Sequence, residues 1–324
     1  MVLAGLACAA RAQTAPPATG STADAQSQPA QPAATQPRAG VSAAAPQPAA
    51  VASLQPSSAV AWQRHWPKVH LVEYIATGAL VAGALALTFG VDPQTHGGHG
   101  GVLYDNGVRS LLRADTRAGR DAARIVGDMG YRVLLIYPFL DLLITPLAVH
   151  GNPEVAWQMF AMDAEAMAIA GFVGIFTDHI FGRARPSQRE CARDDNYERF
   201  CNDADQFGSF LSGHSAIAAA GAGLTCAHHL NMPLYGGGAG DIAACAGAAA
   251  IALTTGVARI VNDRHWATDV TAGLLIGGLA GYGLPALLHY RAAPESSQAR
   301  NRVRMQLMPI ITSERVSAML LGSY

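Results

Sequence analysis

The chain has 324 residues, of which half are hydrophobic and only 14% charged, and its formal net charge is −1. That length holds one sizeable domain plus a tail, and a charge so near zero leaves no electrostatic footprint for nucleic acid. Among the five cysteines there is no Cys-x2-Cys pair of the kind that holds zinc.

Met1 to Ala12 is mostly small and apolar and ends Ala10-Arg11-Ala12, which reads as a signal peptide over residues 1–12 without a basic leading region. Residues 13–60 are rich in Ala, Pro and Gln. They bury too little apolar surface to offset ordering entropy and read as a disordered linker. Trp62, His65, Trp66 and Lys68 read as an interfacial girdle ahead of the first apolar run, Leu71 to Gly90, which is about one bilayer long and carries one charge, Glu73. Residues 91–130 are polar. Arg109, Arg113, Arg117, Arg120 and Arg124 recur there at helical spacing, predicting an amphipathic helix with a solvated arginine face. His96 and His99 lie in a glycine-rich loop with no partner at metal-ligand spacing.

Val133 to Val149 is the second apolar run, with kinks expected at Pro138 and Pro146. Trp157 to Thr177 is the third; its Asp163 and Glu165 are expected to form a structural polar network inside the bundle. Ser215 to Leu230, Ile242 to Val261 and Trp266 to Tyr290 complete the set, rich in the Gly and Ala that let helices approach closely. The prediction is an all-α, six-helix transmembrane bundle over residues 61–292, behind a disordered N-terminal tail; short, weakly hydrophobic runs leave a soluble bundle open. Residues 293–324 form a tail whose alternation around Met305, Leu307 and Pro309, and again from Val316 to Leu320, predicts a short hairpin. Cys191 and Cys201 bracket a charged loop and are expected to pair as a disulfide, whereas Cys226 and Cys245 lie in apolar runs and read as small core residues.

Three short stretches carry chemistry. Ala258 to Asp269 places Arg259, His265 and Asp269 between two apolar runs. With a helix from Trp266 onward, a carboxylate four residues after His265 lies a turn away, where it can hold one imidazole nitrogen and leave the other basic. Phe181-Gly182-Arg183-Ala184-Arg185-Pro186 ends an apolar run, and Phe210-Leu211-Ser212-Gly213-His214-Ser215 begins one. An up-and-down bundle brings all three to one end.

Together these stretches resemble the signature of the type 2 phosphatidic acid phosphatase and vanadium haloperoxidase superfamily: K-x6-R-P, then P-S-G-H, then S-R-x5-H-x3-D. Arg185-Pro186, Ser212-Gly213-His214, and Arg259, His265 and Asp269 match it in order and spacing. Asp178, Leu211 and Ala258 stand where the pattern has lysine, proline and serine. The resemblance implies that His265 is a nucleophile passing through a phosphohistidine, with Asp269 orienting it and His214 as general acid and base. It implies a phosphate held by Arg185, Ser212, Gly213 and Arg259, with no metal and no cofactor. The implied substrate is a lipid phosphate or diphosphate, such as phosphatidate or an undecaprenyl carrier, at the cell membrane. The alternatives are a vanadate-dependent haloperoxidase, a soluble exported acid phosphatase and a non-catalytic membrane protein. Six spans behind an exported tail would leave the motif end cytoplasmic; the exported side is favoured, as for lipid phosphatases of bacterial envelopes. Asp178, which would repel an anion, is expected to turn away from the pocket.

Overall fold

In the computed structural model, the described residues are 60–98, 100–201 and 206–291, together with the backbone of 304–311 and 316–323. The expected signal peptide, the linker as far as residue 59, and His99 lie outside them.

Helix α1 runs Leu71–Gly90, α2 Asp105–Leu112, α3 Arg117–Leu142, α4 Pro153–Phe181, α5 Gln188–Cys191, α6 Gly213–Asn231, α7 Ala239–Val261, α8 Ala267–Gly278 and α9 Leu284–Leu288. The six long units are α1, α3, α4, α6, α7 and the α8–α9 pair, one for each apolar run in the sequence. The α3 helix is longer than its run because the polar segment from Arg117 continues into it. Its far end loosens into a π-helical turn, Leu143–Val149, that contains Pro146. Proline lacks the N–H that a regular turn would use there, so a wider turn takes its place. Beyond the helices, β1 (Arg304–Ile311) and β2 (Val316–Ser323) pair antiparallel with Met308 opposite Met319.

Helix α6 is the axis of the bundle. It packs against α3, α4, α7 and α8, and every residue from 215 to 225 is buried. A helix buried all round needs small side chains if its neighbours are to close on it. A Cβ at Gly277 would lie 2.0 Å from the Ala216 carbonyl oxygen, and one at Gly281 2.0 Å from that of Ala220. The α8 chain therefore rests on the α6 backbone itself.

Among the described residues, five helical stretches are long and apolar enough to cross a membrane: Leu71–Gly90, Arg117–Val149, Pro153–Phe181, Ala239–Val261 and Ala267–Leu288. The α6 helix is not among them, because its many Gly and Ala residues and three histidines make it less apolar. On α1, by contrast, no residue is buried, and Val72, Ile75, Val81, Leu85 and Phe89 are exposed. An apolar face of that extent matches a hydrocarbon solvent.

At the end away from the motifs, Trp66 packs with Val69, Met159, Met162 and Tyr290. It is a core residue and not part of an interfacial girdle. Two adjacent histidines of α6 tie this end together. His228 bridges Asp163 (2.9 Å) and the Tyr290 hydroxyl (2.7 Å), while His229 sits between Asp141 (3.2 Å) and Asp241 (2.7 Å). Cys226 and Cys245 are joined as a disulfide between α6 and α7, correcting their reading as free core residues.

Candidate active site

Each motif sits where a helix stops or starts. Gly182 ends α4 in the left-handed conformation (φ 53°), and a Cβ there would approach the His96 carbonyl to 2.5 Å. Glycine adopts that turn without steric cost. The strand-like run after it is pinned by backbone bonds from Ala184 N–H to Gly98 (3.0 Å) and from Arg185 N–H to Gln206 (2.9 Å). Ser212 caps α6 and accepts from the Ser215 amide (3.4 Å) and hydroxyl (2.9 Å). Leu211 is buried, and its N–H donates to Thr177 Oγ1 (3.1 Å), a bond that a proline at this position could not make.

These ends enclose a cavity of about 450 Å³ lined by Arg124, Asp128, Tyr131, Arg132, Asp178, Arg185, Phe200, Gly213, His214, Arg259, Arg264 and His265. Of the seven site residues expected from the sequence, Arg185, Gly213, His214, Arg259 and His265 are brought together here. Ser212 and Asp269 are fully buried behind the cavity wall.

His265 lies between α7 and α8. Its Nδ1 is 2.7 Å from the Ser209 carbonyl, which can only accept, so Nδ1 carries the proton. The lone pair is then on Nε2, which faces the cavity and receives Arg185 Nη1 at 3.2 Å. Burial, followed by the charges of Arg185 and Arg259, holds this imidazole well below its usual pKa. His265 is therefore a neutral imidazole with its basic nitrogen aimed into the cavity.

The expected contact between Asp269 and His265 is absent. Trp266 is the N-cap of α8, so His265 precedes the helix and the one-turn spacing does not apply to it. Asp269 instead turns back to cap its own helix, accepting the Trp266 amide (2.9 Å), and also accepts the Ser209 hydroxyl (2.6 Å) and Arg183. Ser209 stands between the two, its hydroxyl on Asp269 and its carbonyl on His265. Arg183 in turn binds Asp105 (2.7 Å) and Thr268 (2.9 Å), locking α2 to α8.

His214 has a partner that the motifs do not contain. Its Nε2 lies 3.2 Å from Asp128 Oδ1, and its ring centroid is 4.6 Å from that of Tyr131. Asp128 also takes Arg259 Nη1 (3.4 Å) and Arg124 (3.0 Å), so one α3 carboxylate aligns both a candidate acid–base and a candidate phosphate ligand. Its four-residue offset from Arg124 was the only trace of it in the sequence. We expect Asp128→Asn to lower kcat by about tenfold to a hundredfold with a smaller change in KM. Steady-state kinetics check this, and an unchanged kcat would take Asp128 out of the site.

Asp178 lines the cavity, contrary to the expectation that it turns away. It stands in the last turn of α4, seven residues before Arg185, which lies beyond the helix. At about 8 Å and an effective dielectric near 20, one charge changes an anion's energy by about 2 kcal/mol. Asp178→Lys should therefore tighten inhibition by vanadate or phosphate at least about tenfold. An inhibition constant that does not move would mean that the anion sits elsewhere.

Of the arginines expected on a solvated face, Arg117 is exposed, but Arg109 and Arg120 are tied into the fold. Arg109 forms a paired contact with Asp263 (2.7 Å from both Nε and Nη2), which also accepts the Tyr197 hydroxyl (2.8 Å). Arg120 is buried and donates to the Ala114, Asp115 and Tyr197 carbonyls. Together with Arg264 and Glu198 (3.2 Å), these contacts fasten the loop closed by the Cys191–Cys201 disulfide onto the third motif. That loop delivers Phe200 to the cavity wall.

Residues 164–293 match the family model of the PAP2 superfamily. That stretch holds all three motifs, so the similarity to that superfamily lies in the part of the chain that builds the cavity. A segment of 131 residues, 40% of the chain, is 35% identical to the lipid A 1-phosphatase of Porphyromonas gingivalis. The chain spans only 24% of that relative's length. No solved structure matches the chain.

Proposed function

We propose that this chain is a membrane phosphatase that hydrolyses a lipid phosphate or diphosphate through a phosphohistidine on His265. One observation carries the reading: a neutral imidazole whose Nδ1 is locked by a carbonyl points its unprotonated Nε2 into a cavity flanked by Arg185, Arg259 and His214. The phosphate displaces Arg185 from the lone pair and takes both guanidiniums onto its oxygens. Arginine forks fit that trigonal charge. The amide of Gly213 at the start of α6 is placed to add a neutral donor.

Nε2 attacks phosphorus and the bond to the lipid oxygen breaks. Burial and Arg259 lower the His214 pKa to about 3 in the empty cavity. His214 therefore takes up its proton only when bound phosphate offsets the arginine charge, and it then gives that proton to the lipid oxygen. His214 then accepts a proton from water as the water attacks phosphorus, breaking the P–N bond and releasing phosphate. Asp128 stabilises the imidazolium that His214 becomes on the way. The named relative supports a saccharide-lipid phosphate as the first substrate to try. The active site is proposed to face the exported side, and the Cys191–Cys201 disulfide at the site end supports this because such bonds persist in oxidising compartments.

The test is phosphate release by the purified chain in detergent from lipid A 1-phosphate, phosphatidate and undecaprenyl diphosphate. Bromide oxidation with vanadate and peroxide is assayed beside it. Release from at least one lipid without halide oxidation is expected. Halide oxidation with no phosphate release would transfer the site to peroxidase chemistry.

A further inference from the structure

We infer that Glu73, Glu165 and His289 form a binding site for a divalent transition-metal ion, remote from the phosphate pocket. The three come from α1, from α4 and from the residue after α9, and one donor atom of each lies within 4.8 Å of the other two. Glu165 is 8% exposed and His289 1%. From Glu165 to Asp178, α4 runs 13 residues, or about 20 Å at 1.5 Å per residue, so the cluster shares no atom with the catalytic cavity.

The protonation pattern indicates what is missing. His289 Nδ1 lies 3.2 Å from the Pro67 carbonyl, which can only accept. That nitrogen therefore carries hydrogen, and in the neutral ring Nε2 presents its lone pair. Nε2 is buried, makes no hydrogen bond and lies 3.2 Å from Glu73 Oε1, a second lone-pair donor. The other Glu73 oxygen is occupied by the His70 amide. Among the described residues, Glu165 has neither a hydrogen-bond donor nor a cation on its carboxylate. Burying carboxylates without compensation is costly. One proton between His289 and Glu73 leaves Glu165 unanswered, whereas a divalent cation takes all three donors and cancels both charges.

One imidazole and two carboxylates form a borderline donor set, suited to Zn²⁺, Mn²⁺ or Fe²⁺ more than to Mg²⁺ or Ca²⁺. The supporting shell is already in place, since the Pro67 carbonyl fixes the histidine tautomer and the His70 amide orients Glu73. A bound ion would fasten α1, which packs chiefly on α4, to the end of the α8–α9 unit. Its effect is on the stability of the bundle and not on phosphate chemistry.

The full chain, purified in detergent without chelator, is analysed for metal content. It is then stripped and titrated with Zn²⁺ while thermal unfolding is followed. We expect one ion per chain and a rise in Tm that chelator reverses. Zn²⁺ affinity should fall at least about tenfold in Glu165→Gln and in His289→Gln, and should be unchanged in His265→Ala. The inference is overturned if the stripped wild type takes up no Zn²⁺ at micromolar concentration. It is equally overturned if both folded variants bind as the wild type does.

Discussion

His265→Ala should reduce turnover at least about 10⁴-fold while leaving the bundle folded. Removal of a nucleophile from a preorganised site has effects of this order in other hydrolases. The loss is large because nothing else in the cavity replaces Nε2. His214 is turned toward Asp128, and Ser212 is consumed by the cap of α6. Stability should change little, since the side chain's hydrogen bond with the Ser209 carbonyl is lost but the buried imidazole was held neutral. Circular dichroism and the melting temperature establish the fold, and phosphate release measures the loss. Activity within a hundredfold of wild type in a folded variant would contradict the assignment.

Arg185→Ala is expected to lower kcat by about 10³-fold, and Arg185→Lys to recover only a small part of that. In the resting site Arg185 divides its Nη1 between the Arg264 carbonyl (3.0 Å) and His265 Nε2 (3.2 Å), so it guards the position that a phosphorus atom must reach. Its charge also lies inside the protein, where solvent screens it weakly. Lysine offers a point charge without the fork that can hold a phosphate oxygen and the Arg264 carbonyl together. A lysine variant as active as wild type would show that charge alone is needed.

The catalytic end was legible in the sequence because its residues are spaced by local geometry. Arg185, Gly213, His214, Arg259 and His265 each sit within a turn of a helix end, and helix ends are marked by short strings such as Phe181-Gly182 and Ser212-Gly213. The six runs gave the six long helices for a similar reason, since apolar length is a local property. Missing were the partners contributed from distant parts of the chain. Asp128 lies on α3, more than eighty residues before His214, and belongs to no motif. Ser209 acts partly through its carbonyl, which no residue type announces. The position of Asp269 depended on where α8 begins: with Trp266 as the N-cap and Ala267 the first helical residue, His265 stays outside the helix. Cys226 and Cys245 paired because α6 and α7 form an antiparallel couple, a contact that apolar surroundings alone do not reveal. Arg109 and Arg120 were taken for part of a solvated face because their acceptors, Asp263 and the Tyr197 carbonyl, come from elsewhere in the chain.

The most direct test of the central claim is the chemical character of the enzyme-bound phosphate. Wild-type protein is mixed with labelled substrate, quenched within a turnover, and the bound label is challenged with acid and with alkali. Attack by His265 Nε2 predicts label that is lost in acid, survives alkali, maps to the peptide containing His265 and is missing from His265→Ala. Label stable in acid, or label retained by the folded His265→Ala variant, would contradict it.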